Sequence, residues 1–193
     1  MVDVPTRWYN IVADLSKPLP PLMDPFDDRG SRIQLLVKIL PSILIDQEYT
    51  LERYITIPEK LREAYRRVGR PTPFLRAEGL ERAIGVYGRV RIYYKAEGFL
   101  PTNSHKINTA LAQAYYALED GAKEVVTETG AGQWGLAAAT AAALLCLKAT
   151  IFMTRSSYHS KRGRRLLMQV LGAAVYPSPS DVTEAVAEHW QRT

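Results

Sequence analysis

The clearest patterning of apolar and polar positions lies in the second half of the chain, where two periods alternate. From Ile107 the apolar residues run on at helical spacing, which predicts a helix over 104–120, stopped by Gly121. Residues 124–128 read as a β-branched strand, and 132–147 as a helix whose alanine-rich run 137–143 suits close core packing. A strand over 149–154, a basic helix over 159–171, a strand over 173–176 and a helix over 181–190 follow. Strands alternating with helices predict an α/β fold, a parallel sheet with right-handed βαβ crossovers.

Upstream the texture differs. Residues 78–84 read as a short helix closed by Gly85, and 90–96 as a strand. Nine of the twelve prolines precede residue 74, and Lys17-Pro18-Leu19-Pro20-Pro21 must be extended. A short amphipathic helix is predicted over 31–40, with Ile33, Leu36, Val37 and Leu40 on one side. A second is predicted from Pro58, well placed at a first helical position, through Val68. Residues 1–68 are therefore read as an extension that packs on the rest, 69–193, with Gly69-Arg70-Pro71-Thr72-Pro73 as the boundary.

Composition narrows the classes. With 193 residues, 47% apolar and 23% charged, the chain can bury a real core. One cysteine, Cys146, excludes a disulfide framework; it is read as an inert core thiol. His105, His159 and His189 have no metal-ligand spacing, so no metal site is expected. There is no basic-then-apolar leader, and the apolar run 136–147 is too short to span a bilayer, which predicts a cytoplasmic protein without a membrane partner. A net charge of +5 is weak evidence for nucleic acid, and none is expected as a partner. The run Lys161, Arg162, Arg164, Arg165 reads as a solvated helix face.

Two stretches carry chemistry. Pro101-Thr102-Asn103-Ser104-His105-Lys106 offers three N-cap candidates and puts Lys106 just inside a helix start, where the helix dipole favours the nucleophilic amine that imine chemistry requires. Glu128 closes a strand, and Thr129-Gly130-Ala131-Gly132-Gln133 turns at once into a helix, offering backbone N–H groups to an anion. Trp134 walls a pocket or joins the core. Lysine, carboxylate and anion loop suggest amino-acid chemistry on pyridoxal phosphate. Gly130 to Gly135 also matches the dinucleotide fingerprint, and Arg155 would suit an NADP-binding fragment. Against that, Glu128 opposes a pyrophosphate. The bland alternative is a glycine turn for tight strand–helix packing.

The segments Tyr94-Lys95-Ala96-Glu97, Pro101 to Ala110 and Glu128 to Gly135 resemble the tryptophan synthase β family, closest to its stand-alone branch. Trp8-Tyr9-Asn10, Gly69 to Pro73 and Tyr176 to Ser180 fit as well. The resemblance implies a fold-type II pyridoxal 5'-phosphate enzyme. Such a lyase makes L-tryptophan and water from L-serine and indole, through an aldimine and an aminoacrylate. By resemblance Lys106 is the Schiff-base lysine, His105 and Gln133 lie at the cofactor, Glu128 is the catalytic carboxylate, and Thr129, Gly130, Ala131, Gly132 and Gln133 hold the substrate carboxylate. It further implies a homodimer at full length and association with an α chain. The family commonly has glycine where Asn103 stands. Its members are about twice as long, and the glycine-rich phosphate cup is expected in the half that this sequence lacks. A third reading is an inactive remnant, or a half that needs a complementary chain, the C-terminal half.

Overall fold

A computed structural model describes residues 3–17, 19 and 36–182 of the 193. Strands β5 (Glu124–Thr129), β6 (Lys148–Thr154) and β7 (Ala174–Ser178) form a parallel sheet in that order. Thr127 lies opposite Ile151, and Ile151 opposite Val175. Helix α5 (Gln133–Leu144) connects β5 to β6. Helix α4 (Lys106–Glu119) precedes β5 and packs on α5. The predicted α/β architecture is present, built from the periods visible in the chain.

Close packing centres on α5. Gly135 has no room for a side chain: a Cβ there would lie 2.9 Å from Ile151 Cγ2, Met168 Sδ and Thr129 Cγ2. Ala137 to Ala142 are buried, so the helix rides low on the sheet, as its alanine content predicts. Ile107, Leu111 and Ile151 are fully enclosed, each contributing roughly 1.5–3 kcal/mol by burial.

The lead-in shares this core. Val4, Ile57, Leu61 and Tyr65 belong to one cluster with Ile107 and Leu111. Strands β1 (Arg7–Tyr9) and β2 (Tyr54–Thr56) pair antiparallel, and helices α1 (Ser42–Tyr49) and α2 (Glu59–Arg67) pack on α4. Pro58 occupies the N-cap of α2, one position before its expected place. Asp120 accepts hydrogen bonds from the Ser42 N–H (2.8 Å) and Oγ (2.7 Å), tying α1 to the end of α4.

Four expectations are corrected. The strand expected over 90–96 is β4 (Tyr93–Lys95), and it is not in the parallel sheet. It pairs antiparallel with β3 (Phe74–Arg76) around helix α3 (Glu78–Ala83). Fully buried Glu81 holds this unit together, accepting from Arg76 Nε (3.1 Å) and Nη2 (2.8 Å) and from the Ile92 N–H (2.7 Å). Short strands with a buried ion pair at their base close locally, without the long crossover a parallel partner needs.

The single basic helix expected over 159–171 is two: α6 (Arg155–Ser160) and α7 (Arg162–Val170). They part at Lys161, whose ψ of 50° leaves helical geometry. The break lets α7 turn to bury Met168 against Gly135. Helix α4 starts at Lys106 rather than at 104. Cys146 is no core thiol. It is exposed, with φ +57°, in the turn after α5. The helix stops at Leu144 because the chain must reverse into β6, and residue 146 falls on the left-handed position of that reversal. Of the helix expected over 31–40, residues 36–39 are helical and 31–35 lie outside the described residues; so does the helix expected over 181–190, beyond residue 182.

Candidate active site

Lys106 is the first residue of α4 and is half-buried. His105 takes the N-cap position with helical φ/ψ and makes no side-chain cap, and its side chain is exposed. The cap comes one residue earlier: Ser104 Oγ accepts the Lys106 N–H at 3.3 Å. Thr102, buried, donates from Oγ1 to the Ser104 carbonyl at 3.1 Å. Asn103 has φ +49°, the left-handed backbone that glycine would take most easily and asparagine tolerates. The polar run before Lys106 thus folds on itself and presents the lysine at a fixed helix start.

A second set of contacts anchors that start from below, and sequence reasoning missed it. Asn108 accepts from Arg70 Nη1 at 3.1 Å and donates to Glu97 at 3.0 Å. Glu97 also receives Arg70 Nη1 at 3.0 Å and Thr72 Oγ1 at 2.6 Å. Partial burial pushes the Glu97 carboxyl up, but the hydrogen bonds from Thr72 and Asn108 and the Arg70 charge outweigh it and hold it below its ordinary value. Tyr65 Oη donates to the Asn108 carbonyl at 2.7 Å; burial pushes that phenol well above its usual range. The available signal was the cluster of polar residues in Gly69-Arg70-Pro71-Thr72 and Lys95-Ala96-Glu97, which resemblance marked and spacing did not explain.

Glu128 sits at the exposed end of β5, and its carboxylate has no side-chain partner among the described residues. The loop follows directly. Thr129 is buried, and its Oγ1 accepts the Gly135 N–H at 3.1 Å, pinning the turn to the start of α5. Gly132 has φ +90° and little space for a Cβ, which would lie 3.0 Å from Met153 Cε and 3.4 Å from Arg164 Cβ and Cδ. Among the described residues the Ala131 and Gly132 N–H groups meet no acceptor. At the carboxyl end of β5, Glu128, Gly130, Ala131 and Gln133 are exposed, with Thr129 and Gly132 buried between them. Lys106 enters separately, on the helix that packs against α5. Trp134 is half-buried, and its Nε1 donates to Thr127 Oγ1 at 2.8 Å.

Two cavities, of about 530 and 670 Å³, flank α4. Trp134 and Thr127 line the first, but Lys106, Glu128 and the loop 129–133 line neither.

A lysine at a helix start, a carboxylate with no side-chain partner among the described residues and a glycine loop before a helix are the kinds of group that a pyridoxal phosphate site needs for its imine and for a substrate carboxylate. No second glycine loop follows Gly135 among the described residues to receive the cofactor's phosphate. Fold and residues together define a fold-type II pyridoxal-phosphate enzyme. The chain belongs to the pyridoxal-phosphate dependent enzyme family, whose sequence model matches residues 65–192.

Among curated relatives it is 66% identical over 189 residues to tryptophan synthase beta chain 1 of Aeropyrum pernix, covering 97% of this chain and 44% of that protein. It is equally similar, at 66% over 191 residues, to the tryptophan synthase beta chain of Pyrobaculum arsenaticum, with 99% and 45% covered. That of Thermococcus gammatolerans is 54% identical over 181 residues. The chain spans a little under half the length of these relatives. A pyridoxal 5'-phosphate-dependent aspartate racemase shares the fold, with a TM-score of 0.52 at 24% identity, over 70% of this chain and 44% of its own. The dinucleotide reading of the glycine loop finds no support in these matches.

Proposed function

We propose that this chain carries the amino-acid half of a tryptophan synthase β site, joining L-serine and indole to give L-tryptophan and water. The observation that carries the reading is the adjacency of Glu128 to a loop whose Ala131 and Gly132 N–H groups meet no acceptor among the described residues, and which leads into a helix packed against the one that begins on Lys106. Lys106 would hold pyridoxal phosphate, with His105 and Gln133 alongside. When bound, the group supplies an electron sink for charge at the substrate α-carbon. The chain's own residues do the rest. Lys106 Nζ takes and returns the α-proton. Thr129 to Gln133 bind the serine carboxylate and orient it. Glu128 assists departure of the β-hydroxyl and then the attack of indole.

In this reading residues 1–68 brace the catalytic region that starts at 69. The remaining length of the relatives supplies the phosphate cup, whether in the same polypeptide or as a complementary chain. The assembled protein works in the cytoplasm as a homodimer that can meet an α chain. Among the described residues no helix is long and apolar enough to cross a membrane.

The test combines the chain with pyridoxal phosphate, alone and with the remaining part of the Pyrobaculum relative, reduces with borohydride, and maps the modified lysine. Modification at Lys106 is expected, with tryptophan formed from serine and indole in the combined sample. Modification concentrated on another lysine would sink the assignment.

A further inference from the structure

The basic run 161–165 does not behave as one solvated face. Arg165 lies over the Tyr158 ring at 4.3 Å and donates to the Tyr158 carbonyl, while Lys161 and Arg162 are exposed. Arg164 alone turns the other way. It is half-buried, its Nη1 donates to the Ala131 carbonyl at 2.7 Å, and its aliphatic stem packs where a Cβ on Gly132 would be. It comes from α7, thirty-three residues away in sequence, and reaches the loop because the chain breaks at Lys161.

We propose that Arg164 is a positioning residue for the carboxylate-binding loop. In a trans peptide the C=O and the following N–H point in opposite directions. Holding the Ala131 carbonyl towards α7 therefore turns the Gly132 N–H away from α7. Gly132 is buried, and that N–H has no acceptor among the described residues, which leaves it for an anion that enters the loop. A residue at φ +90° has alternative backbone states, and glycine gives little resistance to a peptide flip. A flip would point a carbonyl oxygen where the donor should be and repel a carboxylate. One charge-assisted hydrogen bond from a side chain packed along its length removes that alternative. The guanidinium also adds positive charge at the loop. The inference rests on the reading of 129–133 as the carboxylate loop and assigns Arg164 a part in it.

The test uses the 193-residue chain and amide NMR, which needs no turnover. Arg164→Met keeps the stem and loses the donor; Arg164→Lys keeps a charged donor. In Arg164→Met the Gly132 amide is expected to shift and to exchange faster, while amides of β6 stay put. L-Serine, with acetate as a simpler carboxylate, is titrated into each protein. The wild-type Gly132 amide should move on titration, Arg164→Met should bind about tenfold more weakly, and Arg164→Lys should fall between. An unchanged Gly132 amide in Arg164→Met overturns the positioning role. A Gly132 amide that shifts in Arg164→Met while wild type ignores both carboxylates upholds the clamp and overturns the carboxylate reading instead. Equal serine binding by wild type and Arg164→Met overturns the proposal.

Discussion

Asn108 and Glu97 meet at 3.0 Å, the Asn108 amide donating to a carboxylate that also binds Arg70 and Thr72. Asn108 is two residues past Lys106, so this contact fixes the turn of helix that carries the lysine. Replacing Glu97 by Ala leaves Arg70 and Asn108 without their shared acceptor. We expect a loss of about 2 kcal/mol, the range for hydrogen bonds to charged groups. A lowered denaturation midpoint at unchanged slope checks it. A variant as stable as the parent would mean that the cluster is a bystander.

The same carboxylate predicts a pH dependence. Its folded pKa is depressed below the ordinary 4.5. A depressed acid stabilises the fold above its unfolded pKa, and that contribution fades as pH falls through the folded value. The stability gap between parent and Glu97→Gln should therefore be full at neutral pH and shrink below about 4.5. Urea midpoints measured down the acid limb test this. A gap that widens on acidification would reverse the sign and refute the account.

Gly135 and Gly130 make a matched pair. Gly135→Ala drives a methyl group into Ile151, Met168 and Thr129 and should cost roughly 1–3 kcal/mol by overpacking. Gly130→Ala meets nothing within 4 Å and should be close to neutral for stability. Melting temperatures of the two variants separate the cases. Equal effects would show that α5 does not sit as low on the sheet as described.

Thr129→Val removes the hydroxyl that accepts the Gly135 N–H. The shape is retained, so the cost isolates one buried donor left unpaired, roughly 1–3 kcal/mol. Amide exchange at Gly135 should accelerate in step with the loss of stability. Unaltered protection at that amide would be incompatible with the bond.

Phe74 and Tyr93 stack at 5.0 Å on the β3–β4 ribbon, yet they are 65% and 45% exposed. The ribbon has unpaired outer edges among the described residues, as does β5. Exposed apolar strands self-associate. Sedimentation should show concentration-dependent association, reduced in a Phe74→Lys, Tyr93→Lys double variant. A parent chain that stays monomeric at high concentration would contradict this.

The sequence by itself determined the elements whose signal lies in consecutive residues. The helix from Lys106, strands β5 and β6, the alanine-rich α5 and the glycine turn between β5 and α5 were all legible, because a period of two or 3.6 and a turn glycine are local properties of the chain. The candidate residues Lys106, Glu128 and 129–133 could be singled out for the same reason, since they stand in short ordered motifs. Only the tertiary structure decided which strands share a sheet. β4 joined β3 because buried Glu81 binds both Arg76 and the Ile92 amide, a contact that no periodicity records. It also decided where the basic helix breaks, that Cys146 faces solvent, that Arg70, Glu97 and Asn108 converge beneath Lys106, and that Arg164 alone of its run reaches Ala131. Each depends on side chains far apart in sequence filling one volume or sharing one hydrogen bond. Such pairings are set by packing density and by satisfying buried polar groups, and neither is a property of any short stretch.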